Sequence, residues 1–217
     1  MSEDTASKNY LVIVAECEAY LKKYGDNYRG VGWTKSQEQT DTRYEVMLEV
    51  IRRAPGQHLA LISLLDFGCG ASHLYEYMLR KGCNDVQYSG LDLSDQFVQL
   101  SSKKFPHIPY YRVDVLEDPD AIPMFDYIVM NGIFTQKCSL TFEEMFSYLR
   151  RLLPVLFGHA REGIAFNVMS KYVDWEREDL FHLPFDTLAR FLTSDISRNF
   201  VIRHDYELYE FTTYVYH

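Results

Sequence analysis

The sequence has no apolar run that approaches the roughly 20 residues needed to span a bilayer. Its first ten residues, MSEDTASKNY, lack the basic flank and the apolar stretch of a secretory signal. Repeats, low-complexity tracts and long glycine- or serine-rich linkers are also missing. We therefore expect one cytoplasmic globular domain whose 217 residues suffice to bury a substantial core.

Basic residues are too few to suggest a polyanionic partner. The chain has 22 lysines and arginines against 31 acidic residues, a net charge of −9. Nucleic-acid binding usually needs a basic surface, because neutralising phosphates supplies much of the affinity. The basic residues occur only as isolated pairs, at Arg52-Arg53, Lys103-Lys104 and Arg150-Arg151. A small-molecule partner is favoured over nucleic acid, and the oligomeric state stays open.

Metal-binding and disulfide patterns are missing as well. The four cysteines, Cys17, Cys69, Cys83 and Cys138, are widely separated. They form no C-x-x-C motif, and no histidines are paired at ligand spacing. We expect reduced thiols and no structural zinc.

Two helices are predicted ahead of the main part of the fold. Apolar residues at helical spacing predict the first over residues 10–24, and the glycine that follows ends it. Thr34 offers a cap for a second helix that runs to about Arg53. We expect residues 1–58 to form a lid over a cleft in a core of residues 59–217.

From residue 61 onward the pattern alternates between strands and helices. Short apolar runs predict strands at 61–66, 86–91, 109–113, 127–130 and 164–169. Helices are predicted at 72–81, at 94–104 with Ser94 as N-cap, and after a capping box of Thr141 with Glu144. This order indicates an α/β fold with a mostly parallel sheet covered by helices on both faces.

The C-terminal tail departs from this alternation. Residues 199–205 and 207–216 are two β-rich runs separated by a tight break near Asp205-Tyr206. Adjacent strands without a crossover helix must be antiparallel. The sheet is therefore predicted to finish in an antiparallel hairpin.

A glycine-rich turn follows the first predicted strand at Asp66-Phe67-Gly68-Cys69-Gly70. Glycines let the backbone turn sharply and let a ligand approach the start of the next helix. Asp92 ends the next strand about 20 residues later, where a carboxylate can accept both hydroxyls of a ribose. A packing turn and a helix-capping aspartate ahead of Ser94 are the alternatives. Both features together predict a nucleotide site.

The loop favours a methyl donor over a dinucleotide. A dinucleotide fold normally shows G-x-G-x-x-G, and here His73 replaces the third glycine of that pattern. Asp66, just before the loop, could accept a hydrogen bond from a ligand ammonium. S-adenosylmethionine has an ammonium group and no pyrophosphate.

Four motifs carry a resemblance to the class I S-adenosylmethionine-dependent methyltransferases. Asp66-Phe67-Gly68-Cys69-Gly70 resembles motif I, with Ser72 where the third glycine usually stands. Gly90-Leu91-Asp92-Leu93-Ser94 resembles motif II, whose acid holds the ribose. Arg112-Val113-Asp114-Val115 resembles motif III, whose acid and following backbone meet the adenine. The run from Phe125 to Gly132 resembles the fourth-strand motif, whose end lies beside the methionine part and the acceptor.

The resemblance covers about residues 60–217 and implies a Rossmann-like, seven-stranded sheet with the hairpin last. It implies S-adenosylmethionine as cofactor and S-adenosylhomocysteine as product. The cofactor-binding residues that it implies are Asp66, Gly68, Cys69, Gly70, Asp92, Leu93, Asp114, Val115 and Asn131. The segment Gly30-Val31-Gly32-Trp33, with Gln39, Arg43 and the tail Arg203–Thr212, is similar to a bacterial subgroup of these enzymes, which brings no substrate with it.

The acceptor is less well marked than the cofactor. The fourth strand ends in Asn131-Gly132-Ile133-Phe134, unlike the (Asp/Asn)-Pro-Pro-(Tyr/Phe) that related enzymes use for amino groups of adenine or glutamine. We expect a small-molecule acceptor, methylated by in-line displacement. Only Asn131 and Asn167 stand at strand ends where a catalytic metal would want several oxygen ligands, so no metal is expected.

Trp33, Tyr28 and Tyr172 are candidate substrate-binding residues, because they fall in the predicted lid segments, the N-terminal helices and residues 170–184. Aromatic residues make up 15% of the chain, so a packing role is the alternative. Arg43 is a candidate for the carboxylate of donor or acceptor, since a guanidinium grips carboxylates bidentately, unless it is a solvated helix residue.

Other candidates for chemistry carry less weight. His182 and Asp174 are possible bases, although each is more often a surface residue, and no catalytic residue is assigned. His204-Asp205 is expected to be structural. A nicotinamide-dependent oxidoreductase and a non-catalytic protein that retains the fold remain as alternatives. The replaced third glycine and the antiparallel tail count against the first, and the intact loop argues that ligand binding is retained.

Overall fold

The computed structural model describes residues 8–33, 36–52 and 61–217. Its helices are α1 (Leu11–Tyr24), α2 (Gln37–Leu48), α3 (His73–Lys81), α4 (Asp95–Lys104), α5 (Phe142–Gly158) and α6 (Phe185–Phe191). Its strands are β1 (Ile62–Phe67), β2 (Val86–Leu91), β3 (Tyr110–Tyr111), β4 (Phe125–Phe134), β5 (Ala160–Ser170), β6 (His182–Leu183), β7 (Phe200–Arg203) and β8 (Glu210–Tyr216). A 3₁₀ turn at Pro119–Ala121 and a π-helical turn at Leu192–Ile196 complete the described elements.

One mixed sheet organises these elements, in the order β3-β2-β1-β4-β5-β8-β7, with β6 pairing to β5. The strands β1 to β6 pair in parallel, whereas β8 is antiparallel to both β5 and β7. The predicted α/β class and the antiparallel tail are confirmed. The predicted count of seven strands is wrong, because the described residues form eight. The additional strand, β6, has two residues and is too short to show a periodicity in the sequence.

Two predicted helix starts are found where the capping residues indicated them. Ser94 Oγ accepts the backbone N–H of Phe97 at 3.3 Å, at the start of α4. Thr141 and Glu144 form the capping box of α5, with Glu144 Oε2 accepting the Thr141 N–H at 2.8 Å. These caps satisfy backbone donors that the first helical turn leaves without partners.

Helix α2 begins differently from the prediction. Thr34 and Arg53, its predicted cap and end, lie outside the described residues. The helix is capped by Ser36, whose Oγ accepts the Gln39 N–H, and its last residue is Leu48. Helix α6 and the π-helical turn after it were not predicted.

Successive side chains of a strand point to opposite faces of the sheet. Adjacent residues of the parallel strands therefore belong to two different hydrophobic layers. Leu64 belongs to the layer that includes Met47 of α2 and Met78 of α3. Leu65 belongs to the layer that includes Leu149 of α5. Each fully buried side chain of this size contributes about 1.5–3 kcal/mol. The sheet is thereby fixed between helices, and the carboxyl ends of β1, β2, β4 and β5 meet at one edge.

Candidate active site

A cleft of about 1130 Å³, counting space open to solvent, lies at this edge of the sheet. It is bounded by the ends of β1, β2 and β4 and by the N-terminal segment. The lining residues used below are Tyr10, Val31, Trp33, Asp66, Gly68, Cys69, Gly70, Asp92, Leu93 and Asn131. Seven of the ten predicted cofactor residues, with Arg43 counted among the ten, therefore meet in one cleft together with the predicted substrate residue Trp33.

The loop after β1 has a backbone that requires glycine. Gly68 and Gly70 have φ values of +75° and +52°, which L side chains rarely adopt. A Cβ at Gly68 would lie 2.1 Å from Ile133 Cδ1. The N–H groups of Gly68 and Cys69 both donate to Leu91 O, at 2.7 and 2.9 Å. The loop is thus bent tightly against the end of β2, with its backbone forming a wall of the cleft.

Asp92 joins the two loops that form this wall. Its Oδ2 accepts the Gly70 N–H at 2.9 Å, and its Oδ1 accepts the Ser94 N–H at 2.9 Å. Burial raises the pKa of Asp92 to about 6, against the lowering effect of these hydrogen bonds. Each carboxylate oxygen has a second lone pair, so the group keeps the capacity to accept further hydrogen bonds.

Asp66 is buried at the end of β1 beside the same loop. Tyr88 Oη donates a hydrogen bond to its Oδ2 at 2.8 Å. Burial raises the pKa of Asp66 to about 7, while the Tyr88 hydrogen bond lowers it and nearby Asp92 raises it. Within residues 8–33, 36–52 and 61–217, no salt bridge joins Asp66 to a basic side chain, so the two carboxyls leave a local excess of negative charge.

The predicted adenine residues stand one step back from the cleft. Asp114 Oδ2 accepts a hydrogen bond from Tyr10 Oη at 2.6 Å, and Asp114 Oδ1 accepts the Leu116 N–H at 3.1 Å. Val115 is buried in the core. Tyr10 lines the cleft itself and was missed as a site residue, because its helical spacing in the sequence indicated packing alone.

A second cleft, of about 600 Å³, adjoins the first. The two share Gly32, Trp33, Thr135 and Gln136 as walls. The second is also lined by residues from the segments after β5 and before β8, and by Arg43 of α2. Those of its lining residues that matter below are Gln39, Arg43, Trp175, Arg177, Tyr209 and Glu210.

A chain of polar contacts links the two clefts across β4, β5 and β8. Asn167 Nδ2 donates to Asn131 Oδ1 and to Glu210 Oε1, each at 3.0 Å. Arg43 grips Glu210 with both ends of its guanidinium, Nε to Oε1 at 2.5 Å and Nη2 to Oε2 at 2.9 Å. The sequence predicted Arg43 but missed Glu210, because a glutamate at the start of a strand carries no signal of a partner 167 residues away.

Of the three predicted substrate residues, Trp33 lines the clefts and the other two do not. Trp33 lies against Arg43, whose Cζ is 4.4 Å from the ring centroid. Tyr28 and Tyr172 line neither the first nor the second cleft. Tyr172 is 69% exposed and stacks on Phe185. Arg43 is a buried ion-pair partner and not a solvated helix residue.

The two candidate bases also lie outside both described clefts. His182 is buried, with Nδ1 2.8 Å from Ser170 O and Nε2 accepting the Arg177 N–H at 3.4 Å. Both ring nitrogens are thus engaged with the backbone. Asp174 is exposed. His204 packs its ring against Phe185 and Phe211, in agreement with a structural role.

The described residues contain neither a candidate metal site nor a candidate membrane span. No group of three or more His, Cys, Asp or Glu among them is placed to hold a metal ion. No helix in the part of the chain that the structure describes is long and apolar enough to cross a membrane.

Comparisons with known proteins point to one kind of domain. The family model described as "Methyltransferase domain" matches residues 65–156. A Mycobacterium tuberculosis protein provisionally named methyltransferase Rv1506c is 28% identical over 155 residues, which are 70% of this chain and 92% of that protein.

Solved structures share the fold at low sequence identity. Magnesium protoporphyrin IX methyltransferase from Synechocystis PCC 6803 superposes with a TM-score of 0.60 at 14% identity, covering 96% of this chain and 97% of that one. An S-adenosylmethionine-dependent methyltransferase from Leishmania major gives 0.62 at 15% identity, covering 96% and 83%.

Proposed function

We propose that this chain, a class I S-adenosylmethionine-dependent methyltransferase, transfers the methyl group of that donor to a small-molecule acceptor. The family model spans the glycine loop, Asp92 and Asn131. The observation that carries the proposal is the arrangement of Gly68, Gly70 and Asp92 at adjoining strand ends, open to one cleft that continues into a second. The two clefts must be continuous if the methyl group of a donor in one is to reach an acceptor in the other.

The first cleft suits a ligand with a positive charge. Asp66 and Asp92 lie in its wall with raised pKa values, caused chiefly by burial. An ammonium or a sulfonium would compensate the two carboxylates, which an anionic pyrophosphate would not. Asn131 Nδ2 is buried and has no hydrogen-bond partner among the described residues. A ligand atom that accepts its hydrogen bond would therefore be stabilised there. S-adenosylmethionine offers the cations and a carboxylate.

S-adenosylmethionine supplies an electrophilic methyl carbon on a sulfonium that is a good leaving group. We assign its binding to the cleft residues Asp66, Gly68, Cys69, Gly70, Asp92, Leu93 and Asn131. Asp114 would act through its hydrogen bond with Tyr10, and Val115 would support the site from the core. Asp66 would hold the ammonium, and Asp92 the ribose hydroxyls. Arg43, which the sequence placed in this group, faces Glu210 in the second cleft, so we assign it to the acceptor side.

The protein's own contribution is alignment and exclusion of water. Trp33, a wall shared by the two clefts, lies beside Gly132 of the first cleft and narrows the passage from donor to acceptor. A Cβ at Gly132, whose φ is +95°, would lie 3.2 Å from the Trp33 ring. Glycine at this position therefore lets the indole lie directly on the end of β4, where it covers the passage.

The first test is ligand binding measured by calorimetry. We expect S-adenosylhomocysteine to bind and NAD not to bind. Tight binding of NAD without binding of S-adenosylhomocysteine would overturn the proposal in favour of a nicotinamide enzyme. Binding of S-adenosylhomocysteine without methyl transfer to any acceptor in a metabolite extract, with radiolabelled donor, would instead support a non-catalytic protein.

The role of Asp92 needs a sharper test, because its carboxylate also orders the loops. We expect Asp92→Ala to weaken S-adenosylhomocysteine about tenfold or more, the range for removing a charged hydrogen-bond acceptor. The 2′-deoxy analogue should bind more weakly than the parent ligand to the native protein, and the two should bind alike to the variant. Asp95→Ala, an exposed carboxylate three residues on, is the matched control. An equal deoxy penalty in both proteins would leave Asp92 as a loop-ordering residue.

A further inference from the structure

The second cleft concentrates aromatic side chains from three separate segments. Trp33 comes from the segment before α2, Trp175 from the segment after β5, and Tyr209 from the residue that precedes β8. The rings of Trp175 and Tyr209 meet edge to face, with centroids 5.1 Å apart. Trp33 and Trp175 are the only two tryptophans of the chain. Aromatic walls of this kind favour a flat, polarisable ligand.

The charges around this cleft cancel. Arg43 is neutralised by Glu210 in a pair whose side chains are 12% and 3% exposed. Arg177, the other cation of the lining, is paired with Asp179. A carboxylate on the acceptor would have to displace Glu210 from Arg43, and an ammonium would have to displace Arg43 from Glu210. Separating the members of a buried ion pair is strongly unfavourable. The cleft therefore disfavours both carboxylates and ammonium groups.

One polar group of the lining still lacks a partner. Gln39 Oε1 is buried and accepts no hydrogen bond from the described residues. A buried acceptor without a donor destabilises the folded state, because it has lost the hydrogen bond that water makes to it in the unfolded chain. A ligand that brings a hydroxyl or an N–H into the cleft would remove that cost. Glu210 Oε2, which accepts one hydrogen bond from Arg43, has a lone pair left for the same purpose.

We propose that the second cleft binds an uncharged, planar aromatic acceptor that carries a hydrogen-bond donor. This rests on the proposed function, since it names the substrate class of the same enzyme. The space of about 600 Å³, counting space open to solvent, leaves room for a ligand built on one aromatic ring. The acceptor lies between the indoles, and its hydroxyl or N–H is turned to Gln39 and Glu210.

The two tryptophans make the test direct, because both line this cleft and a nitroaromatic ring quenches indole fluorescence. Three probes of one shape and different charge are titrated at neutral pH: 4-nitrobenzyl alcohol, 4-nitrobenzoate and 4-nitrobenzylammonium. Free tryptophan amide measures collisional quenching, and 4-nitrotoluene removes the donor. We expect saturable quenching by the alcohol, with an affinity about tenfold or more above that for the other three. Equal or tighter binding of either ion, or no saturable quenching by the alcohol, would overturn the proposal.

Variants of the ion pairs test whether these pairs decide which probe the cleft binds. Glu210→Gln and Asp179→Asn each leave an arginine of the cleft without its counter-charge, the first in a buried position and the second at an exposed one that folding tolerates. Both should raise the affinity for 4-nitrobenzoate about fivefold or more, while the alcohol changes less. Tyr172→Phe, an aromatic outside both clefts, is the control. If neither charge variant changes the order of the probes, the ion pairs do not select the ligand.

The outcome is distinguishable from the outcome for the proposed function. S-adenosylhomocysteine is assigned to the first cleft, and its binding is measured by calorimetry on the same protein. Binding of S-adenosylhomocysteine without quenching by the alcohol rejects the substrate class alone. Quenching without S-adenosylhomocysteine binding rejects the methyltransferase proposal and leaves an aromatic-binding cleft.

Discussion

At the scale of single residues, Asp66 links the donor site to pH. Its carboxyl is buried beside the glycine loop, and burial raises its pKa from 3.8 to about 7. Between these two pH values the folded state holds a proton that the unfolded state has lost. The free energy of unfolding contributed by this group therefore falls as the pH rises through that window. A cationic ligand reverses the preference, because it favours the ionised carboxylate.

We expect S-adenosylhomocysteine to bind more tightly as the pH rises towards 7 and to level off above it. Below the pKa, binding must expel the proton of Asp66, which lowers the affinity by up to about tenfold per pH unit. Calorimetry near pH 6 in two buffers of different ionisation enthalpy will measure the released proton. Asp66→Asn should abolish most of that release, whereas the exposed control Asp95→Asn should not.

A proton release unchanged in Asp66→Asn would assign the titration to another group. Asp92, whose pKa burial raises to about 6, is the group to examine next. An affinity that is independent of pH between 5 and 8 would contradict the contact of Asp66 with the ligand ammonium altogether.

At the scale of elements, the sequence predicted the features that depend on neighbouring residues, namely helix starts and tight turns. The N-cap serine of α4, the capping box of α5 and the glycine turn after β1 were all predicted, since each depends on residues only a few positions apart. The two-residue strand β6 and the helix α6 escaped, because pairing with β5 defines the first and packing against α5 the second. The ion pair of Arg43 with Glu210 escaped for the same reason: the fold brings its members together.

The junction of β5 and β8 is predicted to tolerate no side chain at Gly163. A Cβ there would lie 2.6 Å from the backbone oxygen of Val215 and 2.9 Å from Tyr216 Cδ1. We expect Gly163→Ala to lower the free energy of unfolding by about 1–3 kcal/mol, because the strand backbones must move apart. Denaturant unfolding measures this. Gly158→Ala, where a Cβ meets nothing within 4 Å, is the control and should be neutral or stabilising by up to about 1 kcal/mol.

If Gly163→Ala is as stable as Gly158→Ala, β8 is free to shift away from β5 at that end. The antiparallel tail would then be less tightly joined to the parallel sheet than its register of seven paired residues indicates.

At the scale of the whole molecule, the two N-terminal helices differ: α2 packs into the core with Met47, whereas α1 lies over the donor cleft. None of the residues of α1 is fully buried, yet Ile13, Val14 and Cys17 line the cleft. Polar contacts hold the segment down: Glu18 accepts a hydrogen bond from Ser94 Oγ at 2.6 Å, and Asp26 pairs with Lys104 at 2.8 Å. A ligand that fills the cleft would pack against the apolar face of α1 and so stabilise the helix in its closed position.

We therefore predict that, within residues 1–58, helix α1 acts as a lid that the donor orders. S-adenosylhomocysteine should slow backbone hydrogen exchange of Leu11–Tyr24 by about tenfold or more, since local opening must then expose the bound ligand. Exchange of β5, a largely buried strand that does not line the donor cleft, is the internal reference and should change little. Protection confined to the loops after β1 and β2, with α1 unchanged, would mean that the ligand enters without engaging the helix, and the segment would then be a fixed wall of the cleft. Asp26→Ala separates the two cases further, because a lid that has lost this ion pair exchanges faster without ligand and recovers most of its protection when ligand binds.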